Sequence, residues 1–152
     1  GMRPFGMRAM MSLRLEKFFG SWMREFRPDY RPAETGMDRF VSYNKPAAFI
    51  GKAAAAAEKS AGPARTLCAF AVDADDADVV ADEPIFDGEA VVGFVTSGGY
   101  AHYSEQSVAL GFVPTEMAVD GRTFAIEILG DRRTATIITT PLVDPDGARM
   151  RG

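Results

Sequence analysis

Two stretches decide the fold of this chain: residues 84–95, PIFDGEAVVGFV, and residues 117–129, MAVDGRTFAIEIL. In each stretch an Asp-Gly pair stands between two runs rich in apolar residues. Asp-Gly between such runs is a strong hairpin signal, because both residue types accept the positive φ angles that a type I′ turn requires. We therefore expect the pairs at 87–88 and 120–121 to join antiparallel strands.

The strand-like pattern extends well beyond these two stretches. The run ARTLCAFAVDA precedes them at residues 64–74, and a third turn at 130–131 separates TFAIEIL from RTATIIT. The pattern gives about six strands joined by tight turns with no helix between them. This order predicts an antiparallel barrel or sandwich rather than a parallel sheet with crossover helices.

The first 62 residues have the periodicity of helices instead. Large apolar residues recur at helical spacing over residues 7–26, and they are Met11, Leu15, Phe18, Phe19, Trp22 and Phe26. The run FIGKAAAAAEKSAGP at 49–63 predicts a second helix that Gly62-Pro63 ends. We therefore expect a mainly β protein with N-terminal helices (α+β), divided into a helical segment and linker at 1–62 and a β domain at 63–152.

The apolar stripe of the first helix is heavier than a short helix at a chain end can bury by itself. Phe18, Phe19 and Trp22 lie close together in it. Such a surface indicates a missing neighbour domain or a partner subunit. We expect the isolated chain to form a homo-oligomer for the same reason.

Composition excludes several classes of partner. The net charge of −4 and the pI of about 5.0 argue against nucleic-acid binding, which needs a basic surface. No apolar run approaches the roughly 20 residues that cross a bilayer, so we expect no membrane association. The one cysteine, Cys68, stands in an apolar segment and is expected to pack as a small hydrophobe in a reducing compartment. We expect a cytoplasmic location.

The segment TSGGYAH at 96–102 holds the only histidine and is the first place to look for chemistry. Its candidate residues are Thr96, Ser97, Gly98, Gly99, Tyr100 and His102. Ser97 and His102 have the residue types of a nucleophile and a base, but no G-x-S-x-G context surrounds the serine. The chain has no second histidine to complete a His-based zinc site, and the glycine pair does not precede a helix as a phosphate cradle would. We expect a corner between two strands, with no catalytic residue and no metal ligand.

Charged residues elsewhere favour structural interpretations. The acidic stretch DADDADVVADE at 73–83 lacks the glycine that an EF-hand loop needs at its sixth position, where Asp78 stands, and is expected to be a solvated loop. Arg14 and Glu16 are two residues apart on the first helix and point roughly 200° away from each other, so they do not form a local pair. From the residues alone we interpret them as surface charges.

Four stretches in the same order resemble a known family. They are RAMMSLRLEKFFGSW, ETGMDRFVSYNKPAAFIGKAA, GFVTSGGYAHYSEQSVALGFVP and TTPLVDPDGARMR. Together they are similar to the C-terminal part of the glycine-cleavage T-protein (aminomethyltransferase) superfamily, in particular to the tail of dimethylglycine and sarcosine dehydrogenases. The motifs that carry the resemblance are K-x-x-x-F-I-G-K at 45–52, T-S-G-G-Y at 96–100 and P-L-x-D-P-x-G-x-R at 141–149.

The resemblance implies a six-stranded, jelly-roll-like antiparallel barrel that closes a larger assembly. It implies tetrahydrofolate as the cofactor of the full enzyme, FAD only on an absent domain, and upstream folate and FAD domains or a partner subunit as the partners of this chain. The family's catalytic aspartate lies on one of those domains. The S-L-R-L-E segment lies near the folate site in the family, which makes Arg14 and Glu16 candidates for folate-proximal groups.

Three hypotheses for function follow. In the first, the chain is the C-terminal barrel of a folate-linked aminomethyltransferase or methylamine dehydrogenase, which supports one-carbon transfer from a methylated amine to tetrahydrofolate and is inactive alone. In the second, it is a non-catalytic module that docks on a separately encoded partner through Phe18, Phe19 and Trp22. In the third, it is an independent small-ligand-binding barrel.

Overall fold

The computed structural model describes residues 3–152 and places six strands after two helices. The helices are α1 (Met7–Glu16), α2 (Lys52–Ala61) and the short α3 (Ala148–Arg151). The strands are β1 (Arg65–Val72), β2 (Pro84–Asp87), β3 (Ala90–Ala101), β4 (Gln106–Pro114), β5 (Thr123–Ile128) and β6 (Asp131–Ile138). None of the described helices combines the length and the apolar character of a membrane-spanning segment.

The strands close into a barrel in the order β1-β4-β3-β2-β5-β6, and β6 returns to pair with β1. All neighbouring strands are antiparallel, which confirms the predicted fold class. Alternating side chains point inward, because successive residues of a strand face opposite sides of the sheet. The largest fully buried apolar side chains are Phe70, Phe112, Ile85, Leu110, Ile126, Ile128 and Ile137.

Two of the three expected turns join paired strands. The turn between β2 and β3 has positive φ only at Gly88, so it is not the expected type I′ turn, which needs positive φ at both central residues. The turn between β5 and β6 has φ of 53° at Leu129 and 93° at Gly130, which is the type I′ pattern. This second turn lies one residue earlier than the sequence predicts.

The hairpin expected at Asp120-Gly121 does not form. β4 pairs with β1 and β3, whereas β5 pairs with β2 and β6, so the chain crosses between different parts of the barrel here. The Asp120 carboxylate instead accepts hydrogen bonds from the backbone N–H of Thr139 at 3.0 Å and from its hydroxyl at 2.9 Å. The Asp-Gly pair makes a local turn, and long-range pairing decides which strands it connects.

The first helix is shorter than its apolar periodicity predicts. α1 ends at Glu16, and Phe18 has φ of 54°, a left-handed conformation that breaks the helix. Leu15 packs into the barrel with Ala69, Val108 and Leu110, so part of the predicted stripe is buried. The other apolar residues of the stripe lie in the irregular segment after α1 and do not continue its helical face.

The second helix agrees with the sequence. α2 begins at Lys52 and ends at Ala61, and Gly62 follows with φ of 79°, as expected for a glycine that terminates a helix. In β1, Cys68 is buried, and burial raises the pKa of its thiol to about 11. The prediction that this cysteine packs as a small hydrophobe is therefore confirmed.

The segment predicted as a strand-to-strand corner lies instead within β3. Residues 96–101 are strand, and the turn to β4 begins at His102. The pairing register with β4 shifts between Val95 and Ser97, which makes Thr96 the extra residue of a β-bulge. The Thr96 hydroxyl donates a hydrogen bond to the carbonyl of Leu110 at 3.0 Å.

Gly98 serves a close approach between two segments rather than a sharp turn. A Cβ atom at this position would lie 2.1 Å from Cγ1 of Val79 and 2.5 Å from its carbonyl oxygen. Val79 is fully buried in the barrel core, although it belongs to the acidic stretch expected to be solvated. The carboxylates of Asp75 and Asp76 are exposed and pair with Arg133, so the loop is solvated on one side only.

We expect Gly98→Ala to lower the free energy of unfolding by about 1–3 kcal/mol, the usual cost of overpacking a core. The added methyl group can be accommodated only if Val79 moves out of the core. Urea unfolding followed by circular dichroism measures the change. Gly6→Ala is the matched control, because nothing lies within 4 Å of a Cβ there. Equal stability of the two variants would contradict the close approach.

Candidate functional site at the junction of α1 and β3

Three side chains form a buried cluster where α1 meets β3. The hydroxyl of Ser97 donates to Oε1 of Glu25 at 2.5 Å, and Nη2 of Arg14 donates to the Ser97 oxygen at 2.7 Å. Nη1 of Arg14 lies 3.5 Å from Oε2 of Glu25. The cluster thus joins the helix, the irregular segment after it and the barrel.

The electrostatics of the cluster are those of a buried ion pair. The Glu25 side chain is 0% exposed and the Arg14 side chain 10%. Oε2 of Glu25 also accepts the backbone N–H of Ser21 at 2.7 Å, and Nη1 of Arg14 donates to the carbonyl of Phe19 at 3.1 Å. Burial lowers the pKa of Arg14, while the charge of Glu25 raises it. Removing one partner would leave an uncompensated buried charge, which typically costs about 3–5 kcal/mol.

Glu16 holds the turn between β3 and β4. Its Oε1 accepts the backbone N–H groups of Tyr103 at 2.8 Å and of Ser104 at 3.3 Å, and the residue is 1% exposed. The backbone carbonyl of Glu16 accepts the N–H of Val143 at 3.3 Å. Within residues 3–152, Oε2 of this carboxylate accepts no hydrogen bond.

Ser12 ties α1 to the end of β3. Its hydroxyl donates to the carbonyl of Tyr100 at 2.9 Å and accepts the backbone N–H of His102 at 3.2 Å. The exposed His102 ring packs edge-on against the Tyr100 ring, with 5.2 Å between the centroids. These contacts give His102 a structural place in the turn.

The segment after β6 adds a second ion pair to the junction. Nζ of Lys17 lies 3.6 Å from Oδ2 of Asp144 and donates a hydrogen bond to the carbonyl of the same residue. The Asp144 carboxylate also accepts the backbone N–H of Arg149. That hydrogen bond is the main reason why the pKa of Asp144 is lowered, and the charge of Lys17 acts in the same direction.

The structure brings two of the sequence candidates together, because Arg14 donates a hydrogen bond to Ser97. Arg14 and Glu16 reach different partners, as their spacing on the helix predicts. The expectation that they are surface charges is wrong, since both are largely buried by the barrel. A Cβ at Gly99 would lie 3.6 Å from Cδ1 of Leu15 in α1, an ordinary contact, so of the two glycines only Gly98 is required by close packing.

Sequence reasoning missed Glu25, the central acceptor of the cluster. It stands in the run SWMREF, where a continuous helix would place it at the border of the apolar stripe, next to Phe18, a position typical of a surface charge. Because α1 ends at Glu16, the chain turns and directs this carboxylate inward. No pattern in the sequence could have identified it.

The cluster lacks the arrangement of a nucleophile and base. Ser97 is hydrogen-bonded to Glu25 and Arg14 and not to His102. Within residues 3–152, no group of three His, Cys, Asp or Glu side chains could hold a metal ion. The geometry is suited to fixing backbone segments relative to one another.

Sequence comparison places the chain among known proteins. Residues 65–144 match the sequence model of the glycine cleavage T-protein C-terminal barrel domain, and this range contains the six strands. The chain belongs to this family. Residues 1–45, which contain α1 and Glu25, match the model of the GCVT N-terminal domain. The junction described above therefore links residues that match two different domain models.

Individual relatives agree with the family. The chain is 41% identical over 151 residues to mitochondrial dimethylglycine dehydrogenase of Mus musculus, and the match covers 99% of this chain and 17% of the relative. It is 31% identical over 141 residues to aminomethyltransferase of Synechococcus sp. (strain CC9902), covering 93% of this chain and 38% of the relative. The crystal structure of glycine cleavage system aminomethyltransferase T from Bartonella henselae superposes with a TM-score of 0.85 at 28% identity, covering 92% of this chain and 39% of that one.

We expect Ser97→Ala to lower the free energy of unfolding by about 1–3 kcal/mol, because it removes a hydrogen bond to each of two buried charges. Urea unfolding measured by circular dichroism tests this. Ser42→Ala is the control, because Ser42 is exposed and its hydroxyl makes no hydrogen bond to the described residues. A Ser97 variant as stable as this control would show that the Ser97 hydroxyl contributes nothing to folding.

Proposed function

We propose that the chain is the closing barrel of a longer folate-linked enzyme and supports one-carbon transfer from a methylated amine to tetrahydrofolate. The chain spans 17% of the mouse relative and 38% of the cyanobacterial relative, so most of each relative lies outside the match. We infer that preceding domains hold the folate and FAD sites. We also propose residues 1–62 as the segment leading from those domains and residues 63–152 as the barrel domain.

An exposed apolar surface carries this proposal. Trp22 is 76% exposed and Met23 81% exposed. Groups of large apolar side chains that are exposed to solvent mark sites of interaction with other polypeptide. The same part of the chain exposes Phe5, Met7, Met10, Met11, Leu13 and Phe19. Because residues 1–45 match a different domain model from the barrel, we infer that the remainder of that domain covers this surface in the longer protein.

Arg14 and Glu16 have distinct roles in the proposal. Arg14 positions α1 on the barrel through Ser97 and Glu25. Glu16 is 1% exposed, so as a folate-proximal group it would act through the turn at Tyr103 and Ser104 that it holds, and not by direct contact with the pterin. Bound tetrahydrofolate would supply the acceptor of the one-carbon unit. The residues of this chain would orient the bound folate and exclude water from its site.

The exposed surface also favours a second candidate function. In it, a separately encoded partner covers Phe19 and Trp22 in place of a preceding domain of the same polypeptide. Phe18, which was expected to belong to the docking surface, packs against the barrel instead. An adjacent reading frame that encodes the flavin and folate domains would distinguish the two arrangements.

The name of the mouse relative places that protein in mitochondria. The cytoplasmic location expected for this chain stays a prediction, which cell fractionation checks.

We expect the isolated chain to have no turnover, because it offers neither the folate site of the preceding domains nor an oxidant for the amine. Formaldehyde or ammonia released from dimethylglycine, sarcosine or glycine in the presence of tetrahydrofolate is the quantity to measure. Calorimetry with tetrahydrofolate is expected to show no binding at micromolar concentration. Folate-dependent turnover would overturn the proposal, and micromolar binding would favour an independent ligand-binding barrel.

We expect the isolated chain to self-associate through the exposed apolar surface. Sedimentation velocity of the double variant Trp22→Ser, Met23→Ser is expected to show weaker association than the unmodified chain, since the substitutions remove two highly exposed apolar side chains. Leu129→Ser, in the exposed β5–β6 turn, is the control and should associate like the unmodified chain. A strictly monomeric profile for the unmodified chain would count against the surface as a contact region.

A further inference from the structure

The second helix stands apart from the barrel. α2 has ten residues, and among the described elements it packs closely against neither α1 nor any strand. A cleft of about 1110 Å³ separates it from residues 29–34 and from the start of β1. Helices shorter than about 12–15 residues are marginal in water even when they are rich in alanine. α2 therefore needs contacts that this chain does not supply.

One wall of the cleft is made of small side chains. α2 contributes Ala54, Ala55, Ala57 and Ala61 to it, and Gly62 continues the same wall. Small side chains let the backbone of another segment approach closely, because the distance between packed elements depends on the side chains at the contact. Ile50 at the edge of this cleft is fully exposed. A cleft wall made of small side chains therefore suits the close approach of a polypeptide segment.

A buried carboxylate without a partner lies in the same wall. Glu58 is 8% exposed and lines the cleft, and it forms no hydrogen bond or ion pair with residues 3–152. A carboxylate that the protein largely covers, with no cation beside it, is stabilised when a counter-ion approaches it. The position of Glu58 therefore calls for a cation inside the cleft.

Most cations of this chain near the cleft are engaged elsewhere. Nζ of Lys59 lies 4.2 Å from the centre of the Tyr43 ring, and Nζ of Lys52 donates to the carbonyl of Lys45. On the opposite wall, Arg65 is paired with Glu34 at 2.9 Å. Arg31 also lines the cleft, but it is exposed and forms no ion pair with Glu58.

We propose that this cleft binds a lysine or arginine side chain of the polypeptide that precedes this chain in the longer protein, with Glu58 as its counter-ion. The inference rests on the proposed function, which supplies that polypeptide. The volume of about 1110 Å³ exceeds the roughly 300–1,000 Å³ of pockets for small ligands, which favours a polypeptide segment over a free amine. The contact would order α2 and fix the linker between the two domains.

Hydrogen exchange of α2 tests the proposal in the isolated chain and in the full-length polypeptide. We expect the α2 amides to exchange at least about tenfold more slowly in the full-length polypeptide, because docking must open before exchange occurs. Glu58→Gln in the full-length polypeptide should return exchange to the rate of the isolated chain. Glu116→Gln is the control, because Glu116 is exposed and unpaired among the described residues. The barrel amides report whether each variant is folded.

Each other outcome contradicts a defined part of the proposal. Unchanged α2 protection in Glu58→Gln would overturn the ion pair. Equal protection of α2 in the isolated chain would overturn the preceding polypeptide as the occupant of the cleft. Native mass spectrometry would then show, by the added mass, whether a second copy or a small amine fills it. Protection of α1 but not of α2 in the full-length polypeptide would overturn this inference and leave the proposed function intact. Protection of neither helix would overturn both.

Discussion

The buried contact among Arg14, Glu25 and Ser97 determines how the two parts of this chain are joined. The contact removes a guanidinium and a carboxylate from water. This burial is tolerated because the serine hydroxyl and nearby backbone groups form further hydrogen bonds with both charged groups. Such a contact has narrow geometric requirements, since a displaced partner would leave a buried charge unsatisfied. It therefore holds α1 and the segment after it in one position on β3.

That position has two consequences for the molecule. Glu16 is directed at the turn after β3, where its carboxylate accepts two backbone N–H groups. At the same time, Trp22 and Met23 are left exposed. The junction thus leaves large apolar side chains exposed, which matches the expectation that this chain closes a larger protein.

The barrel fixes the junction from the other side through close packing. The bulge at Thr96 changes the register of β3 against β4, and the absence of a side chain at Gly98 admits Val79 into the core. Gly93 and Gly111 meet the neighbouring strands in the same way, since a Cβ at either position would approach a backbone oxygen within 3 Å. A motif that resembles a ligand loop in the sequence is therefore required by packing.

Local patterns in the sequence were enough to determine the β content, the antiparallel fold class, α2 and its glycine terminus. These features depend on residue periodicity and on the φ angles that glycine permits, both of which are local properties. The tertiary structure alone decided that Asp120-Gly121 is no hairpin, that α1 ends at Glu16, and that Glu25 and Glu58 are buried. Each of these depends on contacts between residues far apart in the chain, where pairing of strands and neutralisation of charge outweigh local preference.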